Sequence, residues 1–250
     1  MKTTSVACLV VTVAFATIAD ATTWGEPERI ADPVRPDSHC LVESPASWGG
    51  YIYQFPSKYD QVFWPLTDPK GLWFCSKSGF TAFIGDFELT PKEKTAVAAE
   101  LTTFYQPTNE PTLREKLVLL EKSYTARNQK TRGKIELLRV LAYYHETDLK
   151  DFDGAAALRR KALELIESAL ATEQDVACRM QYLFVAAVYH REFGDLEKSN
   201  ASAKLLKEAL QQHKGNHDEN VAGMVEYLTE LSGDIDKIVP GGPLIPEPRR

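Results

Sequence analysis

The chain has 250 residues, 44% of them hydrophobic and 26% charged, with a formal net charge of −6. That length allows one large domain or two small ones. The acidic balance, with no stripe of Lys and Arg, argues against nucleic acid as a partner, because phosphate binding needs a basic footprint.

The first residues, MKTTSVACLVVTVAFATIADATTW, hold one lysine, an apolar run from Val6 to Ile18 and the small-residue site Ala19-Asp20-Ala21. This predicts a signal peptide over residues 1–21, cut after Ala21. The run is shorter than the roughly 20 residues a bilayer span needs, and Thr12 and Thr17 interrupt it. Cys8 precedes the apolar core and would leave with the peptide. No second apolar run follows, so the expectation is a protein without a membrane span in its mature form, periplasmic or extracellular. Cys40, Cys75 and Cys178 would remain; an oxidising compartment favours a disulfide, and the odd count leaves one thiol over.

Residues 22–39 are rich in Pro and charge and read as an extended lead-in. Residues 40–89 form an aromatic-rich β module: twelve aromatics lie between Trp48 and Phe87, broken by Gly49-Gly50, Pro56, Pro65, Pro69 and Gly79. YIYQF and GLWFC have strand composition, and the Pro/Gly breaks imply short strands. At Thr90-Pro91-Lys92-Glu93 an N-cap threonine, a proline at the first helical position and a glutamate at the third predict a helix start. From 90 to 236 the pattern is helical, with breaks at 106–111, 128–132, 147–153, 172–175, 193–195 and 214–216, giving about seven helices. The fold class expected is α+β, mostly α. The tail, 237–250, holds four prolines and is read as mobile.

Two helical segments echo each other. LRVLAYYHETDLKDFDGAAALRRKALELIE and YLFVAAVYHREFGDLEKSNASAKLLKEALQQ share a Tyr-His, a polar turn with Asp, small residues and a closing Ala-Leu. Tyr144-His145 and Tyr189-His190 stand 45 residues apart. The segments resemble tetratricopeptide repeats, although the usual period is about 34 residues. Stacked hairpins of this kind bury their stripes on one another, take a cap from the β module and leave a concave face open to a protein or peptide partner.

Zinc ribbons hold their metal with paired Cys-x-x-Cys hairpins. Here the hairpins would be Cys40-Leu-Val-Glu43 and Cys75-Ser-Lys-Ser78, each keeping its first cysteine and lacking its second. Glu43 offers an oxygen and His39 a nitrogen, but serine is a poor zinc ligand, so Cys40 and Cys75 mark a vestigial metal site and no cofactor is expected. Trp73 to Phe87, with Cys75, Gly79, Phe80, Phe83, Asp86 and Phe87, resembles the second knuckle of a bacterial group, domain-of-unknown-function family 2225. Its members join such knuckles, Cys40 standing for the first, to C-terminal helical repeats. The departures at Glu43 and Ser78 put the metal in doubt, and the resemblance transfers no catalytic residue. It does imply that the knuckle tips are adjacent, which would place Cys40 against Cys75 as a disulfide. Cys178, in an apolar helix, reads as a buried inert thiol.

Asp60, Asp68, Asp86 and Glu88 sit among aromatics, a mixture found where sugars are bound or cleaved, and paired carboxylates are what glycoside hydrolysis requires. Nothing in the sequence makes any two of them face each other, and turn-forming aspartates are the commoner explanation. Trp48, Tyr51 and Tyr53 beside Gly49-Gly50 are candidates for an exposed binding platform. His213 and His217 straddle Gly215 and so do not share a helix face, and Asn200-Ala-Ser202 matches a glycosylation acceptor within a helical stretch. No nucleotide loop or nucleophile elbow is present. The leading expectation is a non-enzymatic exported interaction protein; the alternative is an envelope polysaccharide binder or hydrolase acting through the aromatic module.

Overall fold

The computed structural model describes residues 23–47, 58–107 and 111–244. The leader at 1–21, the trio Trp48, Tyr51 and Tyr53, and residues 245–250 lie outside the described residues. What is described is mostly helical, with three small antiparallel strand pairs.

Strand β1 (Thr23–Trp24) pairs with β4 (Pro45–Ser47), β2 (Glu28–Ala31) with β3 (His39–Val42), and β5 (Leu72–Phe74) with β6 (Thr81–Phe83). The lead-in is thus paired in part: Glu28 faces Val42 and Ala31 faces His39 in register. The turn between them is tied by Asp32, whose carboxylate accepts the Val34 and Arg35 N–H groups at 2.9 and 3.0 Å and the Ser38 hydroxyl at 3.0 Å.

Seven α-helices follow among the described residues: α1 (Pro91–Phe104), α2 (Leu113–Ala126), α3 (Thr131–Thr147), α4 (Phe152–Leu170), α5 (Val176–Glu192), α6 (Leu196–Gln212) and α7 (Glu219–Ser232). Apart from α3, which follows Lys130 without a side-chain cap, their starts are written in side-chain chemistry. Thr90 with Glu93 and Thr112 with Glu115 close full capping boxes, and Asp151, Asp175, Asp195 and Asp218 cap α4 to α7.

Helices α3 with α4, and α5 with α6, pack as hairpins with matching corners. Tyr144 and Tyr189 are fully buried at equivalent places. The Asp151 N–H donates to the His145 carbonyl at 2.7 Å, and the Asp195 N–H to the His190 carbonyl at 2.8 Å. Ala155 and Ser199, each four residues past the capping aspartate, are fully buried where one helix crosses the other. At the first corner even a methyl is excluded: a Cβ on Gly154 would lie 2.6 Å from His145 Nδ1.

Two apolar cores result. One surrounds α5, buried almost all round, and draws on α4, α6 and α7. The other joins Cys40, Leu72, Phe80 and Phe83 of the module to Val97, Leu101, Leu120 and Leu141 of α1, α2 and α3. The division at residue 90 thus separates element types but not cores, because three two-stranded ribbons cannot bury a core of their own. Chain order also runs past 236: Ile238 and Leu244 are buried against α5, and the Gly241 N–H donates to the Glu192 carbonyl at 2.7 Å. Within the stretch read as mobile tail, Ile238 and Leu244 are therefore anchored, while Lys237, Val239, Pro240, Gly241 and Pro243 remain exposed.

Candidate functional site

The segment around Cys75 forms a tight turn beside a disulfide. Cys40, on the buried face of β3, is joined to Cys75 by a disulfide with the Cα atoms 4.5 Å apart. The Gly79 N–H donates to the Cys75 carbonyl at 2.8 Å, the Cys75 N–H to the Phe80 carbonyl at 2.9 Å, and Ser78 Oγ accepts the Phe80 N–H at 3.1 Å. Ser78 is thereby committed to the turn. Asp32 lies close to both sulfurs, forming with them the one group of metal-ligating type among the described residues. The group does not fit zinc as it stands: the sulfurs are bonded to each other, and the Asp32 oxygens are already occupied by three donors. The other proposed donors point elsewhere. His39 is exposed, on the strand face opposite Cys40, and Glu43 pairs with Lys70 at 2.6 Å.

The remaining knuckle residues fasten the module to α2. Phe87 stacks edge-on against Trp73 and Phe80, both at 5.2 Å between centroids, and Phe83 meets the Tyr124 ring at 4.9 Å. Asp86 receives Arg127 through two contacts of 2.7 and 2.8 Å and the Tyr124 hydroxyl at 2.6 Å. Burial and the Asp86 carboxylate together hold the Tyr124 phenol well above its ordinary range.

The four carboxylates proposed for sugar chemistry do not converge. Asp68 caps the short turn Pro69–Gly71 and accepts the Trp24 indole N–H at 3.0 Å; Asp86 belongs to Arg127. Asp60, which no turn explains, sits in a buried charged centre. Arg159 of α4 grips it with Nε at 2.9 Å and Nη2 at 2.7 Å, and the Tyr189 hydroxyl of α5 donates to it at 2.7 Å. The Arg159 Nη1 group also donates to Glu146 of α3 and, at 3.0 Å, to Glu192 of α5. All of these side chains are at least 94% buried. Burial pushes the Glu192 carboxyl up to about 7, opposed by Arg159 and reinforced by Asp60 and Glu146. So enclosed a centre fastens one loop to three helices and meets no substrate. Sequence reasoning missed Arg159, Glu146, Glu192 and Tyr189 as partners. Their only signal is that Arg159 falls in line with Ala155, Ala162 and Ile166 on a buried stripe.

An open groove lies beside this centre. The loop 61–66 runs across α3 and α5, leaving adjoining cavities of about 170 and 200 Å³ that share Gln61, Phe63, Glu136 and Arg139. Arg139 is 6% exposed, and its Nε and Nη1 groups have no hydrogen-bond partner among the described residues. Gln61 holds the left-handed conformation at φ 53°, with Nε2 donating to the Lys58 carbonyl and Oε1 unpartnered. A third cavity of about 420 Å³ opens on the module's outer face beside Leu41, Lys70, Trp73 and Phe74.

Cys178 is unpaired and 3% exposed, and burial pushes its thiol up, away from nucleophilic use. His213 ends α6, where its ring lies 3.5 Å from the Asn216 amide, and Asn200 lies exposed within the same helix. No helix among the described residues is long and apolar enough to cross a membrane. In comparisons with protein-family models, curated proteins and solved structures, nothing matches this chain.

Proposed function

We propose that this is an exported, non-enzymatic interaction protein whose tetratricopeptide-like hairpins hold a protein or peptide partner while the β module caps the first helices. The observation that carries the reading is the repeated hairpin corner. Beyond the shared Tyr, His and Asp, each corner presents an exposed apolar residue at the same position, directly after the capping aspartate: Phe152, 53% exposed, and Leu196, 45% exposed. Repetition of an apolar side chain at one solvent-facing position suits contact with a partner better than it suits folding. Export is supported by the Cys40–Cys75 disulfide, a bond that persists in oxidising compartments. The likeness to family 2225 belongs to this proposal too, through the turn and aromatic stack made by Gly79, Phe80, Phe83, Asp86 and Phe87.

The test uses partners captured from the exported fraction, purified and titrated against the isolated protein. A Phe152→Ser/Leu196→Ser double variant with unchanged melting temperature should lose binding. Undiminished binding by that variant would remove the hairpin corners from the interface.

A second reading, polysaccharide binding, draws on the 420 Å³ groove beside Trp73 and Phe74. Retention on insoluble polysaccharide that Phe74→Ala abolishes would favour it over the first.

A further inference from the structure

We infer that the groove between the loop 61–66 and helices α3 and α5 binds a small carboxylate with a hydrogen-bond donor beside it, of the α-amino or α-hydroxy acid class. Arg139 would receive the carboxylate and Gln61 the neighbouring donor. The inference is independent of partner binding at the hairpin corners.

The argument starts from an unfavourable placement. Arg139 shares α3 with Ile135, Val140 and Leu141, all buried, and a leucine or methionine there would join the same core. A guanidinium withdrawn from water with donors unmet is costly, and removing such a group normally stabilises a fold. The nearby charges do not answer it. Asp60, Glu146 and Glu192 all turn to Arg159. Glu136, one turn before Arg139 on α3, is exposed at the mouth and makes no ion pair with it among the described residues. Arg132, on the rim, faces Asp175 at 3.4 Å.

The chemistry of the two groups is specific. Arg139 supplies donors only, whereas Gln61 Oε1 supplies an acceptor that is likewise buried and unpartnered. A ligand meeting both must accept at one end and donate at the other. An α-amino or α-hydroxy acid does this across adjacent atoms, and an amino group could also reach towards Glu136. Phe63, Tyr182, Ile135 and Val140 give the remaining walls an apolar and aromatic character suited to a side chain. The cavities are small beside those that hold drug-sized ligands, which limits the occupant to a molecule of metabolite size.

The experiment is a thermal-shift and calorimetric titration of the mature full chain. The probes are glycine, L-alanine, L-phenylalanine and L-lactate, each compared with its carboxamide, together with acetate as a carboxylate lacking the donor. At least one of the acids should raise the melting temperature saturably at millimolar concentration, its amide should not, and acetate should act more weakly. Arg139→Met should bind that acid about tenfold or more weakly, and Arg139→Lys should retain part of the affinity. The ligand-free melting temperature of Arg139→Met should equal or exceed that of the parent, an outcome a purely structural arginine would not give. The inference is overturned if no acid stabilises saturably, if acid and amide act alike, or if Arg139→Met melts well below the parent without ligand.

Discussion

Asp60 and Arg159, 99 positions apart in the chain, meet in a buried two-point ion pair of 2.9 and 2.7 Å. Because Asp60 sits in the loop before β5 of the aromatic module and Arg159 in the middle of α4, this pair ties the two halves of the chain to each other. Removing the arginine would strand three carboxylates away from water. Arg159→Met should therefore cost about 3–5 kcal/mol at neutral pH. Urea unfolding at neutral pH measures this; a loss below about 1 kcal/mol would show that the centre does not hold the loop.

Glu192 gives the same centre a pH signature. Its folded-state pKa is raised from the ordinary 4.5 to about 7, so the folded protein holds this proton more tightly than the unfolded chain does. The resulting stabilisation is complete below 4.5 and is lost as pH rises through about 7, amounting to roughly 3 kcal/mol at most. His190, held down by burial, works the other way, its contribution fading as pH falls below 6.5. Comparison with Glu192→Gln isolates the carboxyl. The parent should lose stability relative to that variant between about pH 4.5 and 7, and a difference that does not change with pH would contradict the assignment.

The disulfide makes a simple count. Denatured without reductant, protein produced from Thr22 onward should show one reactive thiol, Cys178. Cys40→Ser/Cys75→Ser should lower stability by up to ~4 kcal/mol, the chain-entropy estimate for a bridge spanning 35 positions. Three thiols in the untreated protein would contradict the pairing.

Gly79 carries two demands at once. Its φ of +75° disfavours any side chain, and a Cβ would collide with the Tyr105 ring of the residue ending α1. Gly79→Ala should cost about 1–3 kcal/mol in urea unfolding. A variant as stable as the parent would mean that the knuckle turn relaxes freely.

What the sequence disclosed and what it hid divide along physical lines. The helix start at Thr90 was legible because a capping box is local: Thr90 and Glu93 lie three positions apart and bond to each other's backbone, whereas the same pattern at Thr112 and Glu115 went unread. The paired Tyr-His corners were legible for the same reason. The β2–β3 hairpin was hidden because ERIA and HCLV carry too little alternation to mark strands, and the turn that joins them is made by Asp32 and Ser38 side chains. The charged centre was hidden because an arginine between helical apolar residues ordinarily reads as solvated, and nothing local announces a carboxylate so far away in the chain. Arg139 was missed likewise: its significance lies in buried donors without a partner among the described residues, which no local pattern announces.

The central claim is that module and helices form one cooperative body, on which the Arg139 groove depends because one wall comes from each. All four tryptophans, Trp24, Trp48, Trp64 and Trp73, precede α1, so their fluorescence follows the module while far-ultraviolet circular dichroism follows the helices. Equilibrium urea unfolding monitored by both signals on one sample should give superimposable transitions. Fluorescence that changes at distinctly lower urea than the dichroism would mean that the module unfolds alone, and would contradict the account.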